Sequence, residues 1–285
     1  MDMKTILNEL DQIEDIPTLP VIAMEANKML MDYNTSTKKL KQIIEKDQAM
    51  VPRMLKLVNS SFFGFQSRIS NIEHAIVILG FNMIRNMIVS VSIIEAFSGK
   101  KGLKDFDMTR FWTHSVAVAV TSKYLSLKTR LHVHEDSFTA GLLHDIGKIV
   151  LFQYFHDFFI KAWRSSKEND ISFYDAEKRE IPADHAQIGA HLAWKWQFPA
   201  GLVDTIRWHH DVKEDVFDYN LLIIVHVADK IVNSLMSDSK KEIDLSGIYP
   251  DARKKMSSQL ETAKDWFPQV NIEIQSACEL FLNQL

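Results

Sequence analysis

The chain has a single cysteine among its 285 residues, so it closes no disulfide within itself. Cys278 sits in an apolar C-terminal pattern, and a reducing compartment fits it. Breakers are scarce too, with nine glycines and seven prolines. A chain so thinly punctuated is a poor candidate for a sheet protein built on many tight turns. Long apolar runs are missing: stretches such as "LLIIVHVA", 221–228, are far too short to span a bilayer. The opening "MDMKTILNELDQIEDIP" carries acids too early for a secretory signal. Charge of one sign is not in excess either, at a formal net −4 with acids and bases interspersed, which argues against nucleic-acid binding and a polybasic membrane anchor. The stretch "KTRLHVHE", 128–135, is too short and mixed to form a basic stripe. These absences lead us to expect a soluble, cytoplasmic protein with no nucleic-acid partner and no membrane.

What is present is helical spacing, in a chain that is 46% hydrophobic and long enough for a substantial core. In "KLKQIIEKDQAMVPRMLKLV", Leu40, Ile43, Ile44, Val51, Met54, Leu55 and Val58 recur at three- and four-residue steps. Pro52 predicts a break or kink there. Ser70 and Glu73 have capping-box spacing, and Ile76, Leu79, Met83, Ile84, Met87, Ile88 and Val91 continue one long helix. "NSSFFGF", 59–65, reads as a helix stop and a turn that tucks aromatic rings inward. The polar, glycine-bearing stretch 98–107 marks a lobe boundary. Beyond it Thr109 can cap a helix containing His114, and Asp136 or Ser137 can start the helix that carries His144 and Asp145. Pro182 and Pro199 can start the next two, and "YNLLIIVHVADKIVNSL" makes a further helix containing Asp229. The expected fold is all-α: an N-terminal helical lobe, 1–105, packed on a second helical lobe, 106–285, in a multi-helix bundle.

The chemistry-bearing residues gather in the second lobe. "FTAGLLHDIGKIVLF" sets His144 and Asp145 in an otherwise apolar run, where a buried carboxylate costs several kcal/mol, of order 3–5, unless paired or bound to a cation. His114, His144, Asp145, His185, His209, His210 and Asp229 each lie on or at the end of an apolar helix. Imidazole and carboxylate together suit iron, manganese, zinc or nickel, and so many donors can hold one or two divalent ions with a shared carboxylate. Local alternatives exist for each. Asp145 can cap a helix or pair with Lys148, the 209–210 pair can sit at a helix C-terminus, and Asp229 can pair with His226 or Lys230. A single convergent site is more economical than all of these at once. His226, three residues before Asp229, is placed to orient that carboxylate from behind. His74, His132, His134, His156 and His191 are read as non-ligands.

The order His114, His144-Asp145, Asp229 resembles the signature of the HD superfamily of metal-dependent phosphohydrolases. The segment "HAQIGAHLAWKWQFPAGLVDTIRWHH", 185–210, is similar to the one that follows the HD pair in HD-GYP phosphodiesterases and in HDOD (HD-related output domain) proteins. The first half, with "DIPTLPVIAMEANKML", "IIEKDQAMVPRMLKLVNSSFFGF" and "ISNIEHAIVILGFNMIRNM", resembles the HDOD N-terminal helices. After His210 the chain continues "DVKEDVFDYN" where an HD-GYP enzyme has its Gly-Tyr-Pro loop, which argues against cyclic-di-GMP hydrolysis. HDOD proteins are regarded as bacterial signalling modules without established catalysis, many lacking part of the metal set that this sequence retains.

The resemblance therefore implies a regulatory module acting through signalling-protein partners or a small ligand, with a metal possible. The alternative it implies is a metal-dependent phosphohydrolase acting on a nucleotide or another phosphorylated small molecule. There His114, His144, Asp145 and Asp229 would hold one ion, Asp145 would bridge to a second held by His185, His209 and His210, and Lys148 would face the phosphate.

Overall fold

The computed structural model describes residues 2–13, 16, 19–29, 36–47, 49–59, 65, 67–98, 106–131, 136–236 and 246–282. Among these residues there is no strand, as the spacing predicts. The helices are α1 (Met3–Gln12), α2 (Val21–Lys28), α3 (Thr37–Glu45), α4 (Met50–Val58), α5 (Ile72–Leu79), α6 (Phe81–Ser98), α7 (Met108–Lys128), α8 (Ser137–Leu143) and α9 (Ile146–Tyr154). They continue as α10 (His156–Asn169), α11 (Phe173–Glu180), α12 (His185–Lys195), α13 (Ala200–Trp208), α14 (Tyr219–Leu235), α15 (Pro250–Lys255), α16 (Ser257–Glu261) and α17 (Ala263–Leu282). No single helix among the described residues is long and apolar enough to cross a membrane. The pair α5 and α6 reaches that length and composition only jointly, across a bend of 116°.

The central helix of the second half of the chain is α14. Leu221 to Asp229 are all buried, a helix apolar on every side, and such a helix is stable only when other helices surround it. It packs on α7, α8 and α13. On α7 the small residues Ala117 and Ala119 allow α8 to approach closely: a Cβ on Gly141 would lie 2.8 Å from the Ala119 Cα and 2.9 Å from the Ser122 Oγ. Burying each large aliphatic side chain in this interior contributes about 1.5–3 kcal/mol.

Several local expectations are corrected. The long helix through Leu79 and Met83 is broken at Gly80, whose φ of 82° is readily adopted only by glycine, giving α5 and α6. Asn71, not Ser70, caps α5 by accepting the His74 N–H. The break near Pro52 falls before it, so Pro52 sits in the first turn of α4, where its missing N–H is harmless. Asp107 rather than Thr109 caps α7. Pro182 does not open α12; Asp184 does, in a capping box with Gln187. At α5, α7 and α12 an Asx side chain one or two residues away supplies the stronger cap. Most of the 98–107 boundary and of "NSSFFGF" lies outside the described residues. His132 and His134 also lie outside them.

Contacts cross between residues before and after 105. The Asn27 amide on α2 donates to the carbonyls of Trp196 and Gln197, at 3.3 and 3.0 Å, closing the C-terminal end of α12 where Gln197 takes a left-handed φ of 59°. Arg85, 3% exposed on α6, reaches Asp136 at the start of α8 at 2.7 Å. The first half thereby holds the outer ends of two helices whose inner ends face the histidine cluster. Asn27→Ala should lower unfolding free energy by about 2 kcal/mol, since two carbonyls lose their donor. A urea midpoint indistinguishable from that of the unaltered chain would contradict this.

Candidate metal centre

The site is assembled from helix ends. His144 and Asp145 do not share a helix as expected: His144 is the C-terminal cap residue of α8 and Asp145 the N-terminal cap residue of α9, so the pair stands at a junction. His185 opens α12, and His209 and His210 follow α13. Only His114 on α7 and Asp229 on α14 come from helix interiors. At a junction the backbone turns away and leaves side chains aimed into the space between elements, so four helix ends can converge without colliding.

Asp145 divides its two oxygens. Oδ1 faces His185 Nε2 at 3.1 Å and His209 Nε2 at 3.6 Å. Oδ2 faces His144 Nε2 at 3.4 Å, His114 Nε2 at 3.7 Å and Lys148 Nζ at 2.5 Å. Asp229 Oδ1 lies 3.2 Å from His114 Nε2 and 3.6 Å from His144 Nε2. His210 Nε2 lies 3.1 Å from His185 Nε2. The donors fall into two groups, Asp145-His185-His209-His210 and His114-His144-Asp229, each with its donor atoms within 4.8 Å of one another. Donors around a single divalent ion, at bonds of about 2.0–2.2 Å, stand roughly 3–4 Å apart.

The tautomers favour ligation. His144 Nδ1–H donates to the Gly141 carbonyl at 2.7 Å, and His209 Nδ1–H to the Ile206 carbonyl at 2.8 Å. His185 Nδ1–H donates to the Glu177 carboxylate, whose other oxygen accepts the His185 backbone N–H at 3.1 Å. In each ring the proton is held on Nδ1, so the Nε2 lone pair of the neutral imidazole points inward. His144 Nε2, His209 Nε2 and Asp145 Oδ1 are buried with no hydrogen-bond partner among the described residues. Buried polar atoms are rarely left so, and three facing one small volume fit a cation. The chemistry of the donor set and these orphaned atoms together show a buried His/Asp cluster able to hold a metal.

Without an ion, protons on His144 and His185 answer the carboxylates instead, and a metal ion would have to displace them. Burial pushes the His144 and His185 pKa values down, but neighbouring carboxylates outweigh it: Asp145 and Asp229 hold His144 up at about 10, and Glu177 and Asp145 hold His185 up at about 9. Burial, joined by the positive charge of neighbouring rings, takes His209 down to about 4 and His210 well below the ordinary value. Burial alone would raise Asp145 and Asp229. The cationic groups around them hold both well below the usual carboxylate range. The cluster is built to concentrate positive charge around two ionised carboxylates.

Glycine sets the spacing. A Cβ on Gly147, in the first turn of α9, would lie 1.9 Å from the His185 carbonyl oxygen, so only glycine lets α9 and α12 bring Asp145 and His185 together.

All seven residues singled out in the sequence meet here, and Lys148 lines the wall through its ion pair with Asp145. His226 differs from expectation: its Nδ1–H donates to the His209 carbonyl at 2.7 Å while Nε2 accepts the Tyr249 N–H at 3.0 Å, so it holds the His209 backbone rather than Asp229. One turn further along α14 the other side chain reaches that carboxylate, as Asn233 donates to Asp229 Oδ1 at 2.7 Å. His191 pairs with Asp11 at 2.8 Å, and His156 Nδ1 bonds the Phe152 carbonyl at 3.3 Å, both away from the cluster. Sequence reasoning missed Asn233, Glu177, and Tyr174, which stacks on His210 with ring centroids 4.4 Å apart. Asn233 could have been found by its i+4 spacing from Asp229. Glu177 and Tyr174 lie on the separate helix α11, and no spacing ties them to a histidine eight or more residues on.

The described residues form an all-helical fold with this donor cluster at its helix junctions. Residues 16–212 match the HDOD domain, and the chain is a member of the HDOD family. It is similar to the crystal structure of an HDOD domain protein with unknown function from Geobacter sulfurreducens, at 24% identity and TM-score 0.80, covering 99% of this chain and 100% of that one. A provisionally assigned phosphohydrolase from Shewanella amazonensis SB2B superposes with TM-score 0.75 at 20% identity, covering 95% of this chain and 97% of the other. At these identities the two structures speak for the fold alone. An uncharacterized protein of Treponema pallidum (strain Nichols) is 28% identical over 254 residues, 88% of this chain and 49% of its own length, so the chain spans about half of that curated relative.

Two outcomes follow from the geometry. Gly147→Ala should destabilise the fold by about 3 kcal/mol, the upper range for overpacking, because the obstacle is backbone; an unchanged melting temperature would refute the close approach. Glu177→Gln should lower metal affinity roughly 10–100-fold, the usual effect of removing a ligand's outer partner. Competition with a chelator measures it, and an unaltered competition curve would contradict the role given to Glu177.

Proposed function

We propose that the chain is a bacterial signalling module of the HDOD type whose second lobe holds one or two divalent ions and presents them to a phosphorylated small molecule or a signalling partner. The observation that carries this reading is the division of Asp145 between two donor groups, five imidazoles and a second carboxylate completing them. Bound there, divalent ions would supply Lewis-acid polarisation and charge neutralisation at a phosphoryl group. Around them the chain's own side chains have separate tasks. Glu177 keeps the proton on His185 Nδ1. His226 fixes the His209 backbone. Lys148, on the cleft wall, holds an ammonium beside Asp145 where a phosphate oxygen can share it.

Hydrolysis of a phosphate ester is the second reading, favoured by one specific feature. The Asp145 end of the site opens to a cleft of about 720 Å³, within the range of small-molecule sites, so a substrate can reach it. Cyclic-di-GMP is disfavoured as that substrate, because "DVKEDVFDYN" follows His210 in place of a Gly-Tyr-Pro loop.

The decisive experiment is elemental analysis of protein purified without added metal or chelator, then assay of a phosphodiester panel with iron or manganese. We expect bound metal, and Asp145→Ala should abolish both metal content and any turnover. Metal-loaded protein with no turnover supports the signalling reading, and turnover supports hydrolysis. Protein without metal that tolerates Asp145→Ala would overturn both. A crosslinking survey that returned no specific partner, in a strain whose signalling output is unaffected by deletion, would overturn the signalling reading.

A further inference from the structure

The cleft beside His114 has an architecture of its own. Its inner end is polar, formed by His114, Asp145 and Lys148, whereas its wall is aromatic, with Phe106, Phe159, Trp163 and Phe173. Three of these rings form a packed cluster: Phe106 and Phe159 meet edge to face at 5.5 Å, and Phe159 and Phe173 lie 5.2 Å apart. Trp163 differs, being 43% exposed on α10, with no aromatic ring packed on it among the described residues and the Lys167 ammonium 5.8 Å from its centroid. An exposed indole beside a cation is a platform on which a planar ring can stack.

The cations are placed at a fixed offset from the donors. Arg110 is four residues before His114 on α7, one turn or about 5.4 Å further out. It lines the same cleft, as does Lys167. The acids there are already engaged: Asp107 accepts the Arg110 backbone N–H at 2.9 Å as the α7 cap, and Asp145 belongs to the donor cluster. The cleft therefore offers an anion site at its inner end, a second cationic position one turn outward, and an aromatic platform beside that position.

We propose that this cleft binds a nucleoside diphosphate or a ligand of the same chemistry: a planar aromatic ring stacked on Trp163, one phosphoryl group at the His114-Lys148 end, and a second held by Arg110 and Lys167. The inference rests on the reading of the cluster as a cation site and names the ligand class for it.

Calorimetric titration of the manganese-loaded full chain with a nucleoside diphosphate, the corresponding monophosphate and inorganic pyrophosphate tests it. The diphosphate should bind about tenfold tighter than pyrophosphate, the factor given by roughly 1.4 kcal/mol of stacking. Trp163→Ala should remove that preference while leaving pyrophosphate binding unchanged. Arg110→Ala and Lys167→Ala should each bring the diphosphate toward the monophosphate. Elemental analysis of every variant should show the unaltered metal content, which establishes that the fold and the cluster persist. Equal binding of diphosphate and pyrophosphate, a preference that survives Trp163→Ala, or no binding of any of the three would overturn the proposal. Metal loading without ring preference sinks this inference alone. Ring preference in a chain that takes up no metal sinks the cation reading and leaves the cleft assignment standing.

Discussion

A buried carboxylate has to be answered by positive charge, and Asp145 imposes that requirement on the helices packed around it. Fully removed from water, it would cost several kcal/mol, of order 3–5, if left alone. The protein meets it from both sides, with the His185 cation toward one oxygen and the His144 and Lys148 cations toward the other, and with the His209 and His114 rings beside them. Asp229 then anchors the His114-His144 side, and Glu177 anchors His185 from behind. Each histidine drawn in needs its own outer partner, so the demand of one side chain spreads through α7, α8, α11, α12, α13 and α14.

That demand explains where the donor residues sit. Helix junctions aim side chains inward, and glycines permit the backbones to come close enough: Gly141 for α7 against α8, Gly147 for α9 against α12. Among the described residues the first half contributes no donor, yet Asn27 holds the far end of α12 and Arg85 the start of α8. A displacement of the first half relative to the second would act on the helices that carry His185 and His144. In the proposed signalling role, such a displacement would reach the candidate metal site.

Much of this could be read in advance. Period-3.6 apolar spacing with few breakers identified many of the helices, though not α10 or α11, and the bounds of "YNLLIIVHVADKIVNSL" coincide with α14. Polar residues isolated inside apolar runs marked His144, Asp145 and Asp229, because placing them there has a cost that must be repaid. The failures were local competitions between capping signals. Ser70, Thr109 and Pro182 are each credible starts, but Asn71, Asp107 and Asp184 win because an Asx oxygen reaches the free N–H groups of the first turn. Gly80 alone turned one expected helix into two.

The sequence by itself determined the class of fold, the stretches that become helices, and which residues have to be reconciled with burial, since those follow from composition, periodicity and the cost of buried charge. Only the tertiary structure decided how they are reconciled. It put His144 and Asp145 at a junction, divided the Asp145 oxygens between two donor groups, assigned His226 to the His209 backbone, and brought Glu177 from another helix to His185. Those outcomes depend on which helices cross and at what distance. Spacing along a chain carries no information about an approach between elements that are far apart in sequence.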